Sequence, residues 1–400
     1  DITPLQQYKP EIAQADVHLY NPEPANHTVF GGGFFGGPFR GQNPPSGAVI
    51  YYSLKNAIKK PGGEKPAAAG AGGAAPASTS GAPQTAAAGE AKSAAEASKE
   101  QPAGGKAGTA ETSKSEAPKS EGKADAEKPA PITLEILDQQ GKVIRKYPPK
   151  KPAGGDEGDD EGFGFRGPER GLPTEAGLNR FVWDMRYEGA SRVPKSPLWG
   201  GGTDGPEAVP GQYQVRLTVQ GKSYTAPLEI KADPRLKVTQ ADLQKQLDLL
   251  LKIRDSVTQA HDTINQIREV RGQIEALNKR LTGQPQAKAV ADAGKALDKK
   301  MTEVEEVLIQ TKAKSGQDVL NYPIRLNNYL VALGGVVESA DTQPTQASID
   351  VYNMLSKQLA EQMEKWKQIL ATDIPAYNNT VKQQDVPAIV LKKDDEKGTP

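Results

Sequence analysis

The chain has 400 residues, 36% of them hydrophobic, with 41 glycines, 32 prolines, no cysteine, and 50 basic side chains against 50 acidic ones. The missing cysteines exclude thiol catalysis, disulfide stapling and Cys-ligated zinc or iron–sulfur centres, and the balanced charge sets up no global field toward nucleic acid or an anionic membrane. No run approaches the roughly 18 consecutive apolar residues that a membrane span needs.

The chain begins at Asp1-Ile2-Thr3-Pro4-Leu5, with neither an initiator Met nor a signal segment, and reads as a fragment or a processed chain. Residues 1–46 show turn formers and no period, centred on Gly31-Gly32-Gly33-Phe34-Phe35-Gly36-Gly37-Pro38-Phe39. Glycines let backbone approach closely while aromatic rings anchor it, so the segment reads as a packed connector with Phe34, Phe35 and Phe39 as candidate interaction residues. It is no phosphate loop, because no Gly-Lys-Ser/Thr closes it and no helix follows. Ala48-Val49-Ile50-Tyr51-Tyr52-Ser53-Leu54 then has the composition of a strand.

Residues 61–130 contain no Val, Ile, Leu, Met, Phe, Tyr or Trp. Such a stretch cannot offset about 1–2 kcal/mol of backbone entropy per residue, which predicts a disordered insertion between strands. Beyond it, Ile132-Thr133-Leu134-Glu135-Ile136-Leu137 and Val143-Ile144-Arg145-Lys146-Tyr147 flank a turn at Gln139-Gln140-Gly141-Lys142, a hairpin pattern. An acidic, Gly-rich loop is expected over 148–175. Strand patterns resume at 178–187, at 211–219 and, after the turn Gln220-Gly221-Lys222, at 223–230. Short strands with glycine turns and no helical period predict a β-sandwich over 47–60 and 131–232.

Thr239 has the place of an N-cap, and from it Leu243, Leu247, Leu250, Val257, Ile264, Ile267, Val270 and Ile274 form a helical stripe. Gly283-Gln284-Pro285 breaks it. Further stripes run through Val290, Leu297, Met301, Val304 and Leu308, then through Ile324, Leu326, Leu330, Leu333 and Val337 with Pro323 in the first turn. The last runs through Ile349, Tyr352, Leu355, Leu359, Met363 and Trp366 after Pro344, with an end or kink at Pro375. Together they predict an up-down antiparallel four-helix bundle over 236–391, followed by a charged tail, 392–400.

The three histidines, His18, His27 and His261, are too few and scattered for a His-based metal site, and His261 on the first helical stripe reads as a core or seam histidine. The run Asp156-Glu157-Gly158-Asp159-Asp160-Glu161 departs from the EF-hand pattern and reads as a solvated loop. Asp184, beside Trp183, lacks the partner carboxylate that glycoside hydrolysis requires and reads as structural. There is no Gly-x-Ser-x-Gly elbow, no cofactor fingerprint and no basic groove, so the sequence assigns no catalytic, cofactor-binding or metal-binding residue.

Asp138-x-x-Gly141-x-Val143-Ile144-Arg145, the run from Gly177 to Arg186 and Pro210-Gly211-Gln212-Tyr213-Gln214-Val215-Arg216-Leu217 resemble the immunoglobulin-like, fibronectin type III-like domain of the flagellar hook-capping protein and of many secreted bacterial proteins. In such a domain Phe181, Trp183, Tyr213, Val215 and Leu217 are the expected core residues, since each set shares one strand face. More widely, Asp1-Ile2-Thr3-Pro4-Leu5, Ala15-Asp16-Val17-His18-Leu19-Tyr20, Gly41-Gln42-Asn43-Pro44-Pro45 and the Trp183-Asp184 strand before a helical tail are similar to the C-terminal region of bacterial sortilin-like proteins with neuraminidase-type repeats. That resemblance implies an upstream β-propeller that the chain packs against, a secreted, periplasmic or cell-surface location, and a label of glycosyl hydrolase for the whole protein. No propeller repeat occurs in this chain, and the long 61–130 insertion departs from the family. The reading that follows is a non-catalytic interaction region with a protein or glycan ligand, no nucleic acid and no membrane span. The alternative is part of a glycoside hydrolase whose catalytic residues lie in the propeller, with the 31–39 loop shaping its site. Self-association through the long first helix is a third reading.

Overall fold

The computed structural model describes residues 2–27, 47–58, 131–149 and 171–386. The Gly/Phe segment with Phe34, Phe35 and Phe39, the 61–130 insertion, the acidic run at 156–161 and the tail lie outside the described residues. In chain order come α1 (Thr3–Gln6), α2 (Pro10–Gln14), β1 (Val17–Leu19), β2 (Ala25–Asn26), β3 (Ala48–Leu54), β4 (Ile132–Leu137), β5 (Val143–Tyr147), β6 (Gly177–Trp183), β7 (Gly211–Val219) and β8 (Lys222–Lys231). Five longer helices follow: α3 (Gln240–Arg280), α4 (Ala287–Leu308), α5 (Leu326–Val337), α6 (Gln346–Gln368) and α7 (Ile374–Gln383).

The strands form two sheets. One is antiparallel in the order β1-β3-β6; the other has the order β2-β8-β7-β4-β5, in which β2 alone runs parallel to its neighbour. Residues 1–46, expected as a connector, therefore contribute β1 to one sheet and β2 to the other. Strands of two or three residues are too short to display a period, which is why the sequence pattern passes over them.

Alternation along β7 buries Tyr213, Val215, Leu217 and Val219, and register places Leu217 opposite Leu134 and Val215 opposite Ile136. On the other sheet Ile50 pairs with Phe181. Both sheets send these side chains into one apolar core that includes Trp183, Tyr52, Leu228 and Ile230. Each such side chain contributes about 1.5–3 kcal/mol on burial. The hairpin β7–β8 turns on Gln220 and Gly221, at φ 48° and 83°. Two successive left-handed residues make the loop whose twist matches the strands, and glycine takes the second place without steric cost.

Thr239 caps α3, its hydroxyl accepting from the Asp242 amide at 3.2 Å, and Thr345 caps α6 through the Ser348 amide at 3.1 Å. The helix that follows Pro323 starts later than its proline suggests, at Leu326, after a 3₁₀ turn at Gly316–Leu320. Near Pro375 the chain does not stop. A π-helical turn at Ile369–Asp373 leads into α7, with the proline in the first turn, where its missing N–H does least harm.

The five long helices share a second apolar core, which runs from Leu249 and Leu250 through Ile264, Met301 and Leu330 to Trp366. α3 and α4 are also joined by charge: buried Glu305 accepts from Arg268 at 2.9 Å and from Arg271 at 2.7 Å, while Arg271 also reaches Asp298 at 2.7 Å. All described strands and helices belong to one compact unit. No described helix is long and apolar enough to cross a membrane.

Gly294 of α4 packs against α3 with no room for a side chain. A Cβ there would stand 2.8 Å from Ile274 Cγ2 and 3.5 Å from the Tyr377 ring. Alanine gains about 1 kcal/mol in helix propensity but overpacks this contact by about 1–3 kcal/mol, so Gly294→Ala should be less stable by about 1 kcal/mol in urea denaturation. Ile274→Leu, which lacks that methyl, should return part of the loss; a Gly294→Ala variant more stable than the parent would contradict the packing.

Candidate functional site

Two features stand apart from ordinary core and surface: a half-buried ionic cluster where the sheets meet α5, and an apolar groove between α5 and α6. The cluster grows out of the end of β6. The Trp183 indole N–H donates to the Arg186 carbonyl at 3.0 Å, and the Asp184 carboxylate accepts from the Arg186 amide at 3.1 Å and the Tyr147 hydroxyl at 3.5 Å. These bonds shape the turn and direct the Arg186 guanidinium toward the helices. It donates to the Gly205 carbonyl at 2.8 Å, to Glu207 at 2.6 Å and to Glu338 at 2.7 Å.

Glu338 follows the last residue of α5, where a negative charge faces the negative end of the helix dipole, and Arg186 compensates for that placement. Burial alone would lower the Arg186 pKa, but Glu338 and Glu207 outweigh it and hold the pKa raised. His27 joins the same cluster: its backbone N–H donates to the Lys231 carbonyl at 2.8 Å, and its ring lies 3.4 Å from Glu207 and 3.7 Å from Asp341. From α3, the Gln246 amide donates to the carbonyls of Val337 at 2.7 Å and Ala340 at 2.6 Å, which closes the C-terminal end of α5. Arg186 and its two carboxylates are engaged by the fold itself, so the cluster clamps the end of the sheet to α5.

The groove holds about 510 Å³. Tyr329, Ala332 and Val336 line it from α5, at helical spacing, and Val351, Met354 and Leu355 line it from α6. Val336 is 63% exposed, Met354 53%, Tyr329 48% and Val351 39%, values that place large apolar side chains in contact with water. None of the lining residues is charged. At its rim the hydroxyls of Thr345 and Ser348 bond each other at 3.0 Å. The α6 residues in the groove, Val351 and Met354, form a second apolar pair about one third of a turn away from the core-facing stripe, too short to stand out as a period of its own.

The expected core residues lie together: Trp183, Val215 and Leu217 have no exposure, Phe181 has 4% and Tyr213 6%. The Trp183 and Tyr213 rings meet edge to face at 5.9 Å. Of the histidines, His18 packs edge-on against Tyr20 at 4.7 Å, His27 sits in the clamp and His261 is buried among the helices. Among the described residues no group of three or more His, Asp or Glu is arranged to hold a metal ion. No family model matches the chain, and no curated protein or solved structure is significantly similar to it.

Proposed function

We propose that this chain is the non-catalytic interaction region of a secreted sortilin-like propeller protein, an immunoglobulin-like sandwich followed by an antiparallel four-helix bundle, and that the α5–α6 groove takes an uncharged apolar segment of a partner protein. The sandwich reading is supported by two sheets that share a core around Trp183 and by the Tyr213 hydroxyl, which donates back to the Val209 carbonyl at 2.8 Å. A tyrosine bonded to backbone a few residues upstream is a recurring corner of that fold class. The bundle reading rests on the common core of α3, α4, α5 and α6, with α7 counted as the continuation of α6 beyond the π-helical turn. The propeller and the extracellular or periplasmic location rest on the family resemblance.

The observation that carries the functional reading is the groove's lining, large exposed apolar side chains with no charge among them. A partner buried there loses no ion hydration on this side, so an uncharged apolar segment complements it. A glycan fits less well, because its hydroxyls need hydrogen-bond partners and the lining is mostly apolar, with few polar side chains such as Thr345, Ser348 and Gln358. The test uses a display library of random 12-residue peptides, selected on the full chain and then offered to Val351→Glu. Val351 is partly exposed, so that variant should keep its melting temperature within about 2 °C. Enriched peptides should have uncharged apolar centres and lose at least about tenfold in affinity for the variant, roughly the 1.4 kcal/mol that an apolar anchor contributes. Peptides that bind both proteins equally, or a selection dominated by charged sequences, would overturn the reading.

A further inference from the structure

His261 lies in the middle of α3 with only 1% of its surface exposed. Its Nδ1 is 2.5 Å from the Ser191 carbonyl oxygen. That oxygen can only accept, so Nδ1 carries the hydrogen and Nε2 of the neutral ring is an acceptor. Nε2 is met by the Asn327 side-chain amide at 3.1 Å. Asn327, itself 2% exposed, stands in the first turn of α5. The next residue, Asn328, accepts from the Trp199 amide at 2.9 Å and donates to the Trp199 carbonyl. On the α3 side the Asn265 amide donates to the Arg192 carbonyl at 2.9 Å and the Ser191 amide to Thr258 at 3.4 Å. One imidazole thus ties together α3, α5 and the segment 188–205 that leaves the sheets.

We propose that His261 is a buried proton switch: neutral, it fastens the segment 188–205 to α3 and α5, and protonated, it releases them. A second ring proton would sit on Nε2 and face the Asn327 N–H₂, donor against donor, in a site closed to water. Relief requires the Asn327 amide to turn over or the segment to move away. The charged groups acting on the ring are Asp262 and Arg268, both of α3, while α5 and the segment present a neutral amide and a carbonyl. Burial lowers the His261 pKa from its ordinary 6.5; the Ser191 carbonyl and Asp262 oppose that, and Arg268 adds to it. Opened or unfolded chains therefore bind more protons than the closed form as pH falls below 6.5. The stabilisation from the neutral ring is complete above that value and declines below it, at no more than about tenfold per pH unit because one proton is taken up. Since α5 forms one wall of the groove, acid also loosens that wall. This consequence rests on the proposed binding function, whereas proton uptake at His261 does not.

Amide hydrogen exchange of the full chain between pH 7.5 and 5.0, corrected for intrinsic exchange, reads the switch without any partner. Opening of residues 188–201 and of the first turn of α5 should rise up to about tenfold per pH unit below pH 6.5, while β7 and α4 stay unchanged. His261→Gln should abolish the pH dependence. Asn327→Asp should suppress it too, because a carboxylate accepts from protonated Nε2 and holds the charged ring in the closed form. A flat profile in the unaltered protein, or the same slope in His261→Gln, overturns the proposal. Should the glutamine variant not fold, NMR titration of the His261 ring in the unaltered protein decides: a midpoint below 6.5, with opening rising between 6.5 and that midpoint, supports the switch, and a ring that titrates at 6.5 or above overturns it. Peptide binding plays no part in these readouts, so failure of the groove reading and failure of the switch are separate results.

Discussion

Trp183→Ala is expected to cost about 4 kcal/mol, the largest single effect in the molecule, because truncating a fully buried aromatic leaves a cavity as well as lost transfer energy. The indole has no exposed surface, stacks edge-on with Tyr213 and donates to the Arg186 carbonyl at 3.0 Å. For a folded unit larger than about 250 residues the melting temperature should fall by roughly 7 °C. Trp183→Phe keeps most of the apolar surface but abandons that carbonyl, so a smaller loss of about 1–2 kcal/mol should appear in chemical denaturation. A loss below about 1 kcal/mol for the alanine variant would mean that the indole does not fill the space between the sheets.

Arg186→Met should cost about 3 kcal/mol. It removes one partner from two ion pairs and leaves Glu338 unopposed at the C-terminal end of α5. The figure sits at the low end for buried pairs because the two carboxylate side chains are 38% and 34% exposed and keep part of their hydration. Adding Glu207→Gln and Glu338→Gln to the methionine variant should recover part of the loss, since the uncompensated charges disappear with the arginine. No recovery would show that the guanidinium acts through packing and not through charge. Trp183→Ala loosens the turn that the indole holds through the Arg186 main-chain carbonyl, and that turn aims the guanidinium, so the combined effect should differ from the sum by about 0.5 kcal/mol or more in a double-mutant cycle.

Much of the β-then-α order is legible in the chain. Alternation over 211–219 and the Gln220-Gly221 turn give a hairpin directly, because period and turn chemistry act between residues a few places apart. The same holds for Thr239, whose capping bond spans three residues, and for the long stripe that buries Leu243, Leu247, Ile264 and Ile267. Pro375 shows the limit of such reading. Its chemistry predicts an interruption, and packing of Ile369 and Tyr377 into the helical core turns that interruption into a π-helical turn with a further helix beyond it.

The candidate sites were less legible, for a physical reason. Val351 and Met354 have the same chemistry as core residues, and whether such a pair is covered depends on the elements packed beside it. The sequence alone determined the balanced charge, the absence of thiol chemistry, the apolar gap at 61–130 and the local periods that make strands and helices. Tertiary structure alone decided that β1 and β2 join different sheets, that Arg186 meets Glu338 across 152 positions and that His261 meets Ser191 across 70. Contacts at such separations leave no periodic trace, because only the closing of the whole chain brings the partners within hydrogen-bonding distance.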